Sequence, residues 1–478
     1  MDPRVSDLIS AISEENDTSS ANDLSQENLK VLLAELSRRS VPVGLLHRLW
    51  SLGELSGQVA LAYFALWMRG WFASAEDKKR AAVETNLRVA VKMFHRLAYL
   101  RGAIMKVGQT LGSYPDIVPA QFAETLDKLH FEAPPMHFSL LRELVRNELG
   151  EDPEEVFASF DTEAFAAASL GQVHRARLKS GEQVAVKIQY PGIARTIDAD
   201  MRNLSALLFP LRLTKDWEYL HRQFDEIHRM LQQEIDYRRE AESLRRARAL
   251  FKPEEGIVVP QVYEEFSTNR VLTMEYLSGT LIDGFLASNP SQELRNQFGT
   301  KMYLSIFRLY YSRMNYADPH SGNYVFMRDG RLGLIDFGCV QNYSDEEYEL
   351  LRLSERCNPW GSPEALREVF RRGAYMNDED LANEERVALM TESHDWICEP
   401  VRHDGPFDFG NIEHLQRGIH WFVGLSRKRY TRSHPAYIYF HRTVFGLRAL
   451  LYRLRAQVDV QSLHSREARG WLQGTPGN

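Results

Sequence analysis

The spacing of apolar side chains changes period near residue 165. Upstream, Leu29, Leu32, Leu33 and Leu36 share one helical face. Asp23 and Gln26 fit a capping box ahead of that helix. Helical pattern then continues to about residue 112, with breaks at Gly53, Gly57 and Gly70. Past residue 165, "QVHRARL" (172–178) alternates polar and apolar residues as a strand does. "GEQVAVKIQY" (181–190) follows a Lys-Ser-Gly turn as a second strand. A helical stretch covers about 216–250. "GIVVPQVYEEFSTNRVLTMEYL" (256–277) predicts further strand pairs, turning at Ser267 to Asn269. From residue 290 helices dominate, closing with an apolar stripe of Phe440, Val444, Leu447, Leu451 and Leu454. The class is α+β, with a helical amino-terminal extension.

Composition narrows the functions. A chain of 478 residues with 44% hydrophobic and 26% charged content is globular and has room for two or three domains. A net charge of −7 argues against nucleic acid as a partner. The basic cluster "RREAESLRRARAL" (238–250) reads as one solvated helix face. Three cysteines without metal-ligand spacing fit a reducing compartment and no disulfide framework. The amino terminus has no apolar signal core. "VALAYFALWM" (59–68) is too short to cross a bilayer, which takes about 20 helical residues. It predicts a buried helix, with an interfacial helix carrying Trp67, Trp71 and Phe72 as the alternative.

Candidate chemistry centres on "MNYADPHSGNYVFMRDGRLGLIDFGCV" (314–340). Asp318 precedes Asn323 by the step that separates base and metal-binding amide in a kinase catalytic loop. Asp336 opens an Asp-Phe-Gly after the apolar strand "LGLI". Asn323 and Asp336 offer hard oxygen ligands for Mg²⁺ on nucleotide phosphates, and Asp318 is placed to orient or deprotonate an attacking hydroxyl or water. Lys187 in "VAVK" would reach phosphate. Taken alone it reads as a solvent-facing strand lysine. Among Glu234, Asp236, Glu240 and Glu242, Glu240 is the choice for its ion-pair partner. On one continuous helix Glu234 would then face a different direction. The other reading makes all four part of an exposed helix surface, with arginines as partners. "TMEYL" resembles a hinge, so Glu275 and Leu277 join the nucleotide-contacting candidates. Where a kinase has a Gly-rich loop, this chain has Ala166, Ala167, Ala168 and Ser169, which predicts a stiffer lid over phosphate. A short helix or small-residue turn is the alternative. Lys106 and Gln109 in "IMKVGQTLGSYPDIVP" share one helix face and by themselves mark an amphipathic helix end. The order of strand pair, helix, strand pair and helical half is that of a two-lobed protein-kinase-like fold.

Together "KVGQ", "AAASLGQVHRARLKSGEQVAVKIQYPGI", "EIDYRREAE" and "ADPHSGN…LIDFG" resemble the UbiB/AarF/ADCK family of atypical protein-kinase-like proteins, over roughly 90–345 and more weakly to 455. The resemblance implies that Lys106 and Gln109 fold over the cleft and that Glu234 and Asp236 form an acidic motif facing them. It also implies that Lys187, Glu240, Asp318, Asn323 and Asp336 keep kinase roles. Three features depart from the family pattern. Tyr316 stands where His is usual and Ser321 where Pro is usual. Leu129-His130-Phe131 replaces Leu-Gln-Asp, and no apolar anchor appears near the carboxyl end.

The boundaries expected are a helical extension at 1–89, a helical segment over the cleft at 90–160, a kinase-like N-lobe at 161–278, a helical C-lobe at 279–460 and a tail at 461–478. The function expected is ATP binding with Mg²⁺ and ATP hydrolysis, tied to isoprenoid-lipid or ubiquinone metabolism. Alternatives are a phosphotransferase acting on protein or a small alcohol, and a nucleotide-switched scaffold. "ADPHSGN" is also similar to the Asp-x-His-x-x-Asn motif of aminoglycoside and choline kinases. Expected partners are nucleotide, an isoprenoid lipid or membrane surface, and a second copy in a homodimer. The expected place is the cytoplasm, peripheral at the membrane.

Overall fold

The computed structural model describes residues 136–472 apart from 169, 196, 199–200, 203–216, 358–361, 429 and 431–433. The amino-terminal extension, the 59–68 run, Lys106, Gln109, the 129–132 departure and Ser169 therefore lie outside the described residues. The chain divides into two compact units, one of Met1–Ala176 with Lys187–Ile235 and one of Arg177–Val186 with Asp236–Asn478.

In the first unit, helix α1 (Phe138–Leu149) buries Leu141, Leu144 and Val145 and stops at Gly150, whose φ of 88° is a left-handed cap. Strands β1 (Ser159–Phe160) and β2 (Ala166–Ala168) both pair with β3 (Gly171–Arg177). Polar side chains point inward from β3 because each has a partner. Gln172 accepts from the Met136 N–H at 2.8 Å, and His174 Nδ1 meets the Asp161 carbonyl at 2.8 Å. Phe160 stacks on the His174 ring at 5.2 Å, and burial lowers the imidazole pKa. Strand β4 (Gln183–Gln189) ends in this unit. Helix α2 (Trp217–Glu234) contributes Leu231 to a core with Leu170, Ile193, Ile197 and Met201. The hairpin turn between β3 and β4 is the Lys-Ser-Gly read from sequence, and Gly181 sits there at φ 106°.

The second unit begins with α3 (Tyr237–Arg248). The helical stretch 216–250 is thus two helices, which corrects the continuous-helix reading and the angle drawn between Glu234 and Glu240. Asp236 makes the break: its carboxylate accepts the Arg239 N–H at 3.1 Å as an N-cap. The strand-pair expectation for 256–277 also needs correction. β5 (Ile257–Val258) pairs in parallel with Leu332–Gly333 far downstream. Within that stretch, residues 261–263 run beside β6 (Val271–Glu275), through Tyr263 N–H to Thr273 O at 2.9 Å and Glu275 N–H to Gln261 O at 2.8 Å. Helix α4 (Gln292–Tyr311) leads into β7 (Met314–Tyr316), and β8 (Tyr324–Phe326) pairs antiparallel with β9 (Leu332–Leu334). β10 (Val340–Asn342) returns antiparallel to β7, with Val340 opposite Tyr316.

The rest is mostly helical, including α5 (Glu384–Arg402), α6 (Ile412–Arg427), α7 (Pro435–Leu454) and α8 (Val460–Leu472), with one short antiparallel pair of Phe407–Asp408 against Gln457–Val458. Leu447, Leu451 and Leu454 are buried as the stripe predicts. Arg308 of α4 binds Glu467 of α8 through two hydrogen bonds of 2.9 Å and Glu255 at 2.6 Å. No helix among the described residues is long and apolar enough to cross a membrane.

Between α5 and α7 lie His394, within 3.6 Å of the Cys398 thiol, and His441, 3.4 Å from the Tyr375 hydroxyl. Burial pushes each imidazole down to about 4. The unfolded chain therefore binds more protons wherever pH lies below the ordinary histidine value of about 6.5. Their stabilisation is complete above that value and is lost as pH falls toward about 4, a few kcal/mol in total. Urea unfolding between pH 7.5 and 4.5 is expected to show this fall, and His441→Phe to flatten it. A profile in the variant as steep as the native one would contradict the assignment.

Candidate active site

Two small sheets place the candidate acids. Asp318 follows β7 by two residues, Asn323 immediately precedes β8, and Asp336 follows β9 by two. The loop between β7 and β8 is closed by its own backbone. His320 N–H donates to Asp318 O at 2.8 Å, and Asn323 N–H donates to His320 O at 3.0 Å. Asn323 Nδ2 donates to Asp318 O at 2.9 Å, which leaves the amide oxygen as the atom Asn323 presents as a ligand. The Asn323 carbonyl accepts the Ile335 N–H at 3.2 Å, so the residue beside Asp336 is tied to Asn323. Asp336 Oδ1 accepts the Gly338 N–H at 3.0 Å, folding the Asp-Phe-Gly turn on itself.

Helix α3 is fastened along this turn. Glu240, 1% exposed, accepts the Phe337 N–H through Oε1 at 3.4 Å. Two turns apart, Arg239 Nη2 donates to Val340 O at 2.7 Å and Arg246 Nη1 to Asn342 Oδ1 at 2.9 Å. Burial lowers the Arg239 pKa, while the Cys339 thiol and Asp236 oppose that shift. The carboxylate of α3 and the Asp-Phe-Gly are thus one hydrogen-bonded piece.

Sequence reasoning missed the support from α7. Arg442 Nη2 stands 3.7 Å from Asp318 Oδ1. Thr443, 2% exposed, donates to Asn315 Oδ1 at 2.8 Å with the Tyr316 carbonyl at 3.0 Å. A Cβ on Gly446 would lie 2.6 Å from the Pro319 ring, so helix and loop meet closer than any side chain allows. The apolar stripe hid these positions. Two polar residues and a glycine inside a helix of 20 residues were the signal available.

The first unit holds the rest. Lys187, 8% exposed, and Gln189 share one face of β4. Gln189 Nε2 donates to the Ile235 carbonyl, which brings the end of α2, with buried Glu234, to that strand. Ala166–Ala168 form a strand against β3, with Ala167 opposite Gln172, neither the turn nor the short helix weighed from sequence. In the second unit, Glu275 Oε2 accepts from Arg248 at 3.1 Å and from the Gln261 N–H at 3.2 Å, so its side chain serves the fold. Leu277 is buried over Gly333.

No group of three or more His, Cys, Asp or Glu among the described residues has metal-binding geometry. The pair Asn323 and Asp336 fits Mg²⁺ all the same, because that ion takes one or two protein oxygens and completes its shell with phosphate and water.

An Asp-Phe-Gly turn hydrogen-bonded to a helix glutamate, beside a loop spaced Asp to Asn, defines a protein-kinase-like α+β fold. Residues 128–354, just under half of the chain, match the ABC1 atypical kinase-like domain. The chain is 29% identical over 90% of its length to the mitochondrial atypical kinase COQ8 of Schizosaccharomyces pombe, covering 70% of that protein. It is also 29% identical to the rat mitochondrial atypical kinase COQ8B, over 90% of this chain and 82% of that protein. Over 55% of its length it is 34% identical to the probable serine/threonine-protein kinase abkA of Dictyostelium discoideum, and there it spans about half (48%) of the relative. The solved complex of Rv3197 with erythromycin from Mycobacterium tuberculosis overlays with a TM-score of 0.55 at 26% identity, over 84% of this chain and all (100%) of that one.

Proposed function

We propose that the protein is a Mg²⁺-dependent ATPase of the atypical kinase-like type, acting in isoprenoid-lipid or ubiquinone metabolism at a membrane surface. The observation that supports the reading best is the fastening of Asp318, Asn323, Asp336 and Glu240 into one hydrogen-bonded assembly. Asn323 and Asp336 hold the metal, which neutralises charge on the β- and γ-phosphates when bound. Asp318 orients a water whose oxygen bonds to the γ-phosphorus as the bond to the β-bridging oxygen breaks, and it takes the proton released. Lys187 is given the phosphate-contacting role, and Glu240, Ala166–Ala168 and Ser169 the roles that the family resemblance implies for them. The backbone of the Glu275–Leu277 segment receives the base. Lys106, Gln109, Glu234 and Asp236 take the cleft-motif role that the family resemblance implies.

The quinone-pathway assignment follows the relatives named COQ8, and a homodimer is part of the same proposal. A phosphotransferase is the second reading, favoured by the Asp-x-His-x-x-Asn spacing of Asp318, His320 and Asn323. Phosphate release, measured with and without isoprenoid lipid or detergent beside transfer of labelled phosphate to protein and small alcohols, separates the two. Release without transfer is expected. Transfer at a comparable rate would sink the ATPase reading.

Arg442 offers a finer check. Arg442→Gln removes the charge beside Asp318 and keeps a polar side chain, two atoms shorter. Turnover is expected to fall about tenfold with nucleotide affinity held within about twofold. An unchanged kcat would show that Arg442 takes no part in placing Asp318.

A further inference from the structure

Tyr316 stands apart from the residues the mechanism uses. It is 3% exposed, and its hydroxyl has no hydrogen-bond partner among the described residues. Its ring meets Phe337 edge-on at 5.2 Å and Tyr324 at 6.1 Å. Its carbonyl accepts from Thr443, and its backbone lies opposite Val340 in the β7–β10 pair. One side chain therefore touches the Asp-Phe-Gly, and its own backbone carries the strand that leads to Asp318.

The surroundings of the hydroxyl are acidic. Burial raises its pKa well above the ordinary tyrosine value, and Tyr324, Asp336, Asp318 and Glu240 add to the rise. A neutral phenol close to three carboxylates is a donor with acceptors nearby and none in direct contact. Polar groups so placed are the usual hosts of a buried water. Tyr343 makes the contrast. Its hydroxyl is also buried without a partner, yet its neighbours are Tyr310 at 6.2 Å, Glu347 and Tyr437 rather than the catalytic acids.

We propose that Tyr316 is a positioning residue for Asp336: its ring seats Phe337, and its hydroxyl donates through one ordered water to the carboxylates of the metal site. The histidine usual at this position in the family pattern would seat the phenylalanine without that hydroxyl. The inference rests on the metal-site reading above.

Two deletions of the same atom test it. If the hydroxyl is bridged, Tyr316→Phe removes a bond and lowers the metal-free melting temperature. If it is an orphan, its removal relieves a buried polar group and leaves Tm unchanged or raised. Tyr343→Phe is expected to follow the orphan pattern. In a Mg²⁺ titration followed by the nucleotide-dependent thermal shift, Tyr316→Phe is expected to need about tenfold more Mg²⁺. Nucleotide binding measured in EDTA is expected to stay at the native level. Tyr316→His, which restores a ring N–H donor, is expected to recover part of the Mg²⁺ affinity. Tyr316→Phe behaving as Tyr343→Phe does in both measurements overturns the proposal, and so does an equal loss of metal-free nucleotide binding. A native chain whose nucleotide shift ignores Mg²⁺ would sink the metal site itself. In that case a Tyr316→Phe Tm at or above the native value overturns the hydroxyl's role as well, and a lower one upholds the bridge.

Discussion

Asp336→Asn is expected to abolish Mg²⁺-dependent phosphate release, a fall of at least about 100-fold. The substitution is isosteric, and an amide oxygen still accepts the Gly338 N–H that now binds Asp336 Oδ1 at 3.0 Å. Phe337 keeps its bond to Glu240 at 3.4 Å, so the turn and α3 remain joined. Only the negative charge is lost. A hard divalent cation held by one carboxylate and one amide loses the larger share of its electrostatic attraction. Phosphate release and the Mg²⁺-dependent thermal shift are expected to vanish together, with the melting temperature in EDTA close to native. Turnover at the native rate would remove Asp336 from the mechanism. A collapse of Tm in EDTA would make its role structural.

The second large effect concerns stability. Arg308, with 17% of its side chain exposed, pairs with Glu255 and Glu467, 19% and 11% exposed. Burial works against the guanidinium charge, but the two carboxylates more than offset it and raise the Arg308 pKa. Burial likewise pushes the Glu255 carboxyl up, and Arg308 then draws it below its ordinary value. Arg308→Ala would leave two carboxylates together in a half-dry setting and cut the link between α4 and α8. A loss of about 3 kcal/mol is expected, read as a lower urea midpoint with unchanged slope. Arg308→Met, which preserves volume, is expected to cost no less, since the acids stay unpaired. Adding Glu467→Gln to it should recover part of the loss. Midpoints for Arg308→Ala within about 0.5 kcal/mol of native would show the triad to be a surface pair in effect.

Much of this molecule is legible in local pattern. β3 announces itself because a half-buried strand must alternate, and β4 follows because the turn between them needs a glycine at positive φ. The kinase-like order of Asp318, Asn323 and Asp336 is legible because each is held by its near neighbours in sequence. What pattern concealed depended on distant partners. β5 has two residues, and among the described residues its only strand partner is Leu332–Gly333. The break after Glu234 hid inside an unbroken apolar period, and Asp236 looked like one acid among four until its cap showed. Arg442 carries only the weak mark of a polar residue in a helix with an apolar stripe, since its meaning comes from Asp318. The alanines were judged as a loop by analogy with glycine loops, whereas three small residues without a turn signal extend against β3.

The seating of Thr443 and Gly446 on the loop at Asn315–Pro319 has a consequence in time. The two partners are separated by 127–128 residues of sequence. Chains emerge amino end first, at about 5–20 residues per second. For several seconds after its acids have left the ribosome, this loop lacks the helix that fixes it. Competence for nucleotide chemistry is thus deferred until almost the whole polypeptide exists, and a product stalled before residue 440 carries every catalytic acid without the α7 contacts to the loop and to the Asp318 carboxylate.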